Sequence, residues 1–164
     1  MKTTRGGWRP LQREELRDEL VHDSYKSKKK LPTPARCPDC GAVYDRGRWT
    51  WGTAAADAHQ EPCPACHRVR DRFPAGYVTL DGEFFTAHRD EIVHLARHRA
   101  EHEGAEHPLE RIMGFEDAAG GVLITTTDTH LARDIGEAVH AAYKGSLEYH
   151  YNKEENLLRV HWRR

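Results

Sequence analysis

The pattern of hydrophobic and polar residues is most regular after Leu109. Two short apolar runs flank a turn at residues 117–121, and a second pair of runs alternates hydrophobic and polar positions near the end of the sequence. Between them lies a helical stripe of five apolar residues: Leu131, Ile135, Ala138, Val139 and Ala142. Asp128 is suited to cap the start of this helix, and Gly145 to follow its end. Residues 109–164 are therefore predicted to form a ββαββ domain, a small α+β sandwich in which one helix covers a sheet.

The central segment, residues 81–108, is predicted to be a connecting helix. Thr86 is the expected N-cap, and Ile92, Leu95 and Ala96 form the apolar side. Three histidines follow at intervals of four along this helix: His94, His98 and His102. Such a stripe can bind a transition metal, but a solvated face is favoured because no glutamate follows the first histidine as in HExxH.

Three shorter patterns precede the central segment. PLQREELRDELVHDSY is compatible with a short helix that begins at Pro10. GAVYDRGRWTW alternates like a hairpin and places Trp49 and Trp51 on one face, where they can stack on bases or cover a small core. CHRVRDRF is predicted to be extended, which would place Arg68, Arg70 and Arg72 on one side.

All the cysteines of the chain occur in two Cys-Pro-x-Cys pairs, at Cys37, Cys40, Cys63 and Cys66. A spacing of two residues lets a tight turn direct two sulfur atoms to one point about 2.3 Å away, which is the length of a zinc–thiolate bond. Two such turns supply the four ligands of a closed tetrahedral site. The pairs therefore predict one structural Zn²⁺ in a zinc-ribbon module, without an open coordination position for catalysis.

Other interpretations of the cysteines are weaker. Structural disulfides need an oxidising compartment, and the sequence begins without the apolar segment of a secretion signal. A redox dithiol usually occurs once, in a βαβ unit, and not twice in a loop-rich segment. His59 or His67 could replace one sulfur ligand, although four thiolates already complete a tetrahedron.

Composition and charge suggest several units along the 164 residues. Only 38% of the residues are hydrophobic and 31% are charged, which favours two modest folded units over one large core. Residues 1–36 carry ten lysines and arginines against five acidic residues, a net charge of +5, whereas residues 77–164 carry a net charge of −6. The predicted organisation is a basic N-terminal arm (1–36), a zinc ribbon (37–80), the connecting helix (81–108) and the ββαββ domain (109–164).

Basic and aromatic side chains in the first two units are the candidate RNA contacts. Arginine and lysine bind phosphate groups, and an aromatic ring can stack on a base. The candidates are Lys28, Lys29, Lys30, Arg46, Arg48, Trp49, Arg68, Arg70 and Arg72.

Five stretches resemble a small family of bacterial proteins that is placed with the archaeal and eukaryotic Nmd-three family of large-ribosomal-subunit adaptors. They are HDSY, CPDCGAVYDRGRWTW, CPACHRVRDRFPAGYVTL, HPLERIM and GVLITTTDTHLARDIGEAVHAAYKGSLEYHY. The resemblance to the bacterial family is nearly full length. That to the adaptors is confined to the cysteine module and the hairpin-helix-hairpin order. It implies a zinc-binding, ribosome- or RNA-associated protein, but not the nuclear export function of the adaptors.

The expected function is therefore a zinc-stabilised RNA- or ribosome-associated binding protein, and not an enzyme. The sequence contains no GxxxxGKS/T, GxGxxG or GxSxG motif, so we expect no small-molecule substrate. It also contains no apolar run of about 20 residues, so we expect no membrane partner and a cytoplasmic location. The alternative is a protein–protein adaptor whose acidic C-terminal half binds a basic partner.

Overall fold

The structure is a computed structural model and describes residues 9–10, 25 and 30–164. Lys28 and Lys29 lie outside these residues. So does the helix predicted to begin at Pro10, of which only Pro10 and Tyr25 are described. The described part has an α+β fold with two mixed sheets and four helices. Its strands are β1 (Arg9–Pro10), β2 (Ala35–Arg36), β3 (Val43–Asp45), β4 (Arg48–Thr50), β5 (His59–Gln60), β6 (Gly76–Asp81), β7 (Ile112–Ala118), β8 (Gly121–Thr126), β9 (Ser146–Asn152) and β10 (Leu157–Arg163). Its helices are α1 (Pro64–Asp71), α2 (Glu83–Ala87), α3 (Arg89–Glu106) and α4 (Thr129–Tyr143).

The larger sheet has the strand order β1-β9-β10-β6-β8-β7. β6 and β10 are parallel, and the other neighbouring strands in this sheet are antiparallel. The predicted order ββαββ is confirmed in β7, β8, α4, β9 and β10. The Asp128 carboxylate caps α4 by accepting hydrogen bonds from the backbone N–H groups of His130 and Leu131, at 2.7 and 3.3 Å.

The hydrophobic core lies between this sheet and the helices. Leu131, Ile135 and Val139 on α4 are fully buried, as their helical spacing predicts. From β10, alternate residues Leu158, Val160 and Trp162 are buried in the same core. The hydrophobic periods of α4 and β10 therefore identify their core positions directly from the sequence.

The predicted boundary at residue 80 cuts through the middle of the larger sheet. β6 lies between β10 and β8 and pairs with both strands along its length. Gly76 begins this strand because an added Cβ atom would lie only 2.4 Å from the Thr126 hydroxyl oxygen and 2.5 Å from the Ala132 Cβ. Because β6 precedes residue 109, residues 109–164 do not contain all the strands of this sheet.

The central segment also differs from its prediction. Thr86 is not the N-cap of a long helix but lies inside α2, with its hydroxyl group donating to the Gly82 carbonyl oxygen at 3.0 Å. Ile92, Ala96 and Ala100 on α3 are buried in the main core, and α3 packs against α4. Because α3 contributes to the core, it is an integral part of the α+β unit and not a connector.

Residues 35–72 contain the smaller sheet, with the order β4-β3-β2-β5, followed by α1. The predicted hairpin is confirmed in β3 and β4, whose turn includes Gly47 at a φ of +86°. The predicted extended conformation of CHRVRDRF is wrong, because Pro64–Asp71 is helical. We call residues 35–72 the cysteine module, and residues 76–164 the sheet domain.

None of the helices in the described ranges is both long enough and apolar enough to span a membrane.

Candidate metal centre

The first cysteine pair lies in a tight turn that directly follows β2. The Cys37 N–H donates to the Ala42 carbonyl oxygen at 2.8 Å, and the Gly41 N–H donates to the Cys37 carbonyl oxygen at 2.9 Å. Gly41 has a φ of +80°, a conformation that costs little only for glycine. The sequence CPDCG therefore folds back on itself and directs Cys37 and Cys40 to the same side.

The second pair is built on a helix start. Cys63 is the N-cap of α1, Pro64 is at the first turn, and the Cys63 sulfur atom accepts a hydrogen bond from the Cys66 N–H at 3.4 Å. Proline is favoured there because its fixed φ suits a helix and its missing N–H leaves no donor unsatisfied. The start of a helix also stabilises a thiolate, because the peptide dipoles place positive charge at that end.

The two pairs bring all four sulfur atoms into one group. Each sulfur atom lies within 4.8 Å of the other three. The Cys40 and Cys63 sulfur atoms are 3.8 Å apart, and tetrahedral zinc with bonds of about 2.3 Å requires sulfur atoms about 3.8 Å apart. The group contains no histidine, so neither His59 nor His67 belongs to it. The four cysteines are compatible with one tetrahedral metal ion.

The surroundings of the four thiols are both buried and polar. Cys37, Cys63 and Cys66 are buried, and Cys40 is partly buried. Burial raises the pKa of the Cys63 thiol and of the Cys40 thiol. Burial acts in the same direction on Cys37, but backbone N–H donors, first that of Cys63, outweigh it and lower the pKa of Cys37 to about 7. Buried thiolates repel one another, so a bound cation would favour the fully deprotonated cluster.

A cation from the sheet domain also contacts the cluster. The Arg111 Nη2 atom donates to the sulfur atoms of both Cys63 and Cys66, at 3.3 Å each. Burial by itself lowers the pKa of Arg111, but the hydrogen bond to Cys66 and the charges of the neighbouring thiolates raise it. Sequence reasoning missed Arg111 because a single arginine 45 residues after Cys66 has no spacing that connects it to a cysteine motif.

The predicted RNA contacts do not all lie on the surface. Arg46, Arg48, Arg70, Arg72 and Lys30 are exposed. Arg46 and Arg48 lie at the turn of the β3–β4 hairpin, and the Arg46 side chain is 92% exposed. Arg70 forms an ion pair with Asp39, at 2.7 Å between Nη2 and Oδ2. The four exposed arginines therefore divide between the hairpin turn and the C-terminal end of α1, and Lys30 lies before β2.

Arg68 and Trp49 are placed differently from the prediction. Arg68 is fully buried in α1, and its Nη1 atom donates to the Phe73 carbonyl oxygen at 3.0 Å. Its guanidinium group also lies over the Tyr25 ring, 4.4 Å from the ring centroid. Trp49 is partly buried, packs against the cysteine cluster, and has its ring centroid 5.4 Å from that of Tyr44. The fold thus uses Arg68 and Trp49 as packing residues.

Two other sets of candidate metal ligands in the described part of the chain are less suited to bind a metal ion than the four cysteines. His94, His98 and His102 are exposed on α3 and do not form a metal-binding group there. Glu103, Glu110 and Asp134 do lie within 4.8 Å of one another. However, Arg99 already pairs with Glu103 at 2.8 Å and approaches Asp134 at 3.9 Å.

A cleft of about 540 Å³ lies between α3 and β7, and one residue of its wall, Arg111, also contacts the cysteine cluster. Its wall combines Arg97 and Arg111 with Glu101 and Glu110, together with apolar side chains such as Phe115. This volume is in the range of small-molecule sites. The expectation that the protein has no small-molecule substrate therefore stays a prediction.

Comparison of the chain with protein-family models, with curated proteins and with solved structures finds no match. The resemblance to the Nmd-three family therefore stays a prediction, and the functional argument depends on the residues themselves.

Proposed function

We propose that this protein is a zinc-stabilised RNA-binding protein that associates with the ribosome or with another structured RNA. Cys37, Cys40, Cys63 and Cys66 would hold one Zn²⁺ in a zinc-ribbon arrangement. The bound zinc supplies no reaction chemistry, because four protein ligands leave it no open position. It would fix the cysteine turns next to the β3–β4 hairpin and α1, the elements that carry the basic side chains.

The observation that carries the RNA proposal is the placement of Arg46 and Arg48. Both side chains are exposed at a hairpin turn whose two strands belong to the smaller sheet of the cysteine module. Asp45 is the ion-pair partner of Arg46, with 3.8 Å between Nε and Oδ2, and both groups are largely exposed. An exposed pair of this kind contributes little, so a phosphate group can replace the aspartate at low cost. Arg70, Arg72 and Lys30 extend the exposed basic set, whereas Arg68 and Trp49 no longer belong to it.

The test of this proposal has two parts. In the first, lysate is sedimented through a gradient, and the protein is expected to travel with a ribosomal subunit at low salt and to leave it at high salt. In the second, binding of purified protein to ribosomal RNA is measured between low and high salt. The Arg46→Gln/Arg48→Gln variant should flatten the dependence of log K on log salt concentration by roughly two units.

The matched control is Lys153→Gln/Arg163→Gln, which removes two exposed positive charges from the sheet domain. It should bind RNA with the salt dependence of the parent protein. Equal effects of the two double variants would reject the hairpin turn as the contact site. A parent protein that binds a basic protein partner and no RNA would instead favour the adaptor function, through the acidic C-terminal half.

A further inference from the structure

A short part of the sheet domain contacts the cysteine module directly. We call residues 104–111 the docking segment. At its start, the Gly104 carbonyl oxygen accepts a hydrogen bond from the Trp51 Nε1 atom at 2.6 Å. Leu109 packs against the buried cysteines, and at the end of the segment Arg111 reaches the sulfur atoms. Three separate contacts therefore connect the cysteine module to the same eight residues, and two of them, from Leu109 and Arg111, reach the cysteines.

The backbone around Arg111 is held by hydrogen bonds to Thr127, the residue directly after β8. The Arg111 N–H donates to the Thr127 hydroxyl oxygen at 2.9 Å, and the Thr127 N–H donates to the Arg111 carbonyl oxygen at 2.9 Å. The Thr127 hydroxyl group also donates to the Leu109 carbonyl oxygen at 2.6 Å. Thr127 is buried, with 3% of its surface exposed. The backbone position of Arg111 is therefore fixed next to the larger sheet, and its side chain extends from there to the cysteine module.

The Arg111 contact would compensate the negative charge of the cysteine cluster once a metal is bound. A divalent ion with four thiolates has a net charge of −2, which is costly in a buried site without a compensating cation. A guanidinium group that donates to two thiolates forms charge-assisted hydrogen bonds and halves that net charge. The Arg111 Nε atom is itself buried without a hydrogen-bond partner among the described residues, so the guanidinium group depends on the sulfur atoms for compensation.

We infer that Arg111 is a positioning residue of the metal centre, and that through it the sheet domain helps to retain the metal. The inference depends on the proposed zinc site and adds a contribution from outside the cysteine module. Metal binding and docking of the two units then favour each other, since each places a charge that the other compensates.

The test compares metal affinity in the full chain with and without the guanidinium group. The parent protein, Arg111→Met and Arg111→Lys are loaded with zinc, their zinc content is measured, and each is titrated with a competing chelator. Arg111→Met should lower zinc affinity about 10- to 100-fold, the usual effect of removing a group that hydrogen-bonds to a metal ligand. Arg111→Lys keeps a positive charge, so its zinc affinity should lie between those of the parent protein and Arg111→Met. Arg97→Met is the matched control. It also removes a guanidinium group, but that of Arg97 lies over the Phe115 ring, 4.0 Å from its centroid, and not at the cysteines.

Cobalt substitution supplies a readout that a general loss of stability would not change. Hydrogen bonds lower the energy of sulfur lone pairs, so loss of the Arg111 donors should move the sulfur-to-cobalt charge-transfer bands to longer wavelength. If Arg111→Met does not fold, a smaller band shift in the same direction in Arg111→Lys decides the question. Unchanged affinity and unchanged bands in the folded Arg111 variants would overturn the inference while leaving the zinc site intact. A parent protein that binds no zinc would overturn both, and the initial zinc measurement separates the two failures.

Discussion

The Glu110 carboxyl group, one residue before Arg111, lies in an unfavourable electrostatic environment. Burial raises its pKa to about 7, and the neighbouring carboxylates add to the shift, whereas His130 acts against it. The carboxylates concerned are Asp128, Glu103 and Asp134. The Glu110 Oε2 atom is buried and has no hydrogen-bond partner among the described residues. The folded protein therefore holds a proton on Glu110 over a pH range in which the unfolded chain has lost it.

This shift predicts that stability decreases as pH rises from about 4.5 to about 7. In that window the native state binds more protons than the unfolded state, so the free energy of unfolding falls with increasing pH. Glu110→Gln should remove this contribution and raise the free energy of unfolding at pH 8 by about 1 kcal/mol, an amount reduced for the partial exposure of the group. Urea denaturation at pH 5 and pH 8 measures the effect, with the exposed Glu101→Gln as control. A Glu110→Gln variant with the same pH dependence as the parent protein would contradict the argument.

The residues of the metal centre show what sequence spacing can and cannot predict. The four cysteines were identifiable because a spacing of two is a local property of each pair. Arg111 was not, because its contact is made by tertiary packing through Thr127 and β8. Arg68 was misassigned because the alternating arginines suggested a strand. The order Cys63, Pro64 is a typical helix start, and it was a better signal.

Among the secondary-structure elements, β6 has the greatest effect on where the chain divides into folded units. Its hydrophobic alternation is visible in the sequence, and Val78 and Leu80 are fully buried. Its partners are not visible, because parallel pairing with β10 joins residues about 80 positions apart. The hairpins β7–β8 and β9–β10 were predictable because each pairs through a short turn. The sequence therefore predicts the local hairpins well and the closure of the sheet poorly.

The central position of β6 predicts the behaviour of fragments. Residues 109–164 alone should show no cooperative unfolding, because β8 and β10 would each lose a full-length partner and α4 would lose its contact with α3. Residues 76–164 retain β6, α2 and α3 and should unfold cooperatively. Circular dichroism of both fragments during urea titration provides the comparison. Cooperative unfolding of residues 109–164 would show that the two hairpins and α4 are sufficient.

At the scale of the whole molecule, the two hydrophobic clusters differ in how much they stabilise the unit that contains them. The cluster in the sheet domain includes large buried side chains such as Trp162, Phe85 and Ile135, whereas the cluster in the cysteine module consists of cysteines and alanines. A module with so little apolar surface cannot fold on hydrophobic burial alone. With the proposed metal bound, its stability would come from that metal and from the docking segment.

Removal of the metal should therefore unfold the cysteine module and leave the sheet domain folded. Treatment with a strong chelator is expected to expose the backbone amides of residues 35–72, because metal-binding energy is folding energy for such a module. Amides of β6, β8 and β10 should stay protected, since their hydrogen bonds lie in the middle of the larger sheet. The sheet domain should still lose about 1 to 3 kcal/mol, because Arg111 would then lack thiolate partners.

Hydrogen exchange of the full chain, with and without chelator, measures all three effects in one experiment. Cys40→Ser provides an independent way to remove the metal and should reproduce the pattern. Retained protection of residues 35–72 in the absence of metal would show that metal binding is dispensable for the fold of the module. Loss of protection in β6, β8 and β10 together with residues 35–72 would show one cooperative unit, and the coupling through Arg111 would then be far stronger than a pair of hydrogen bonds to sulfur can supply.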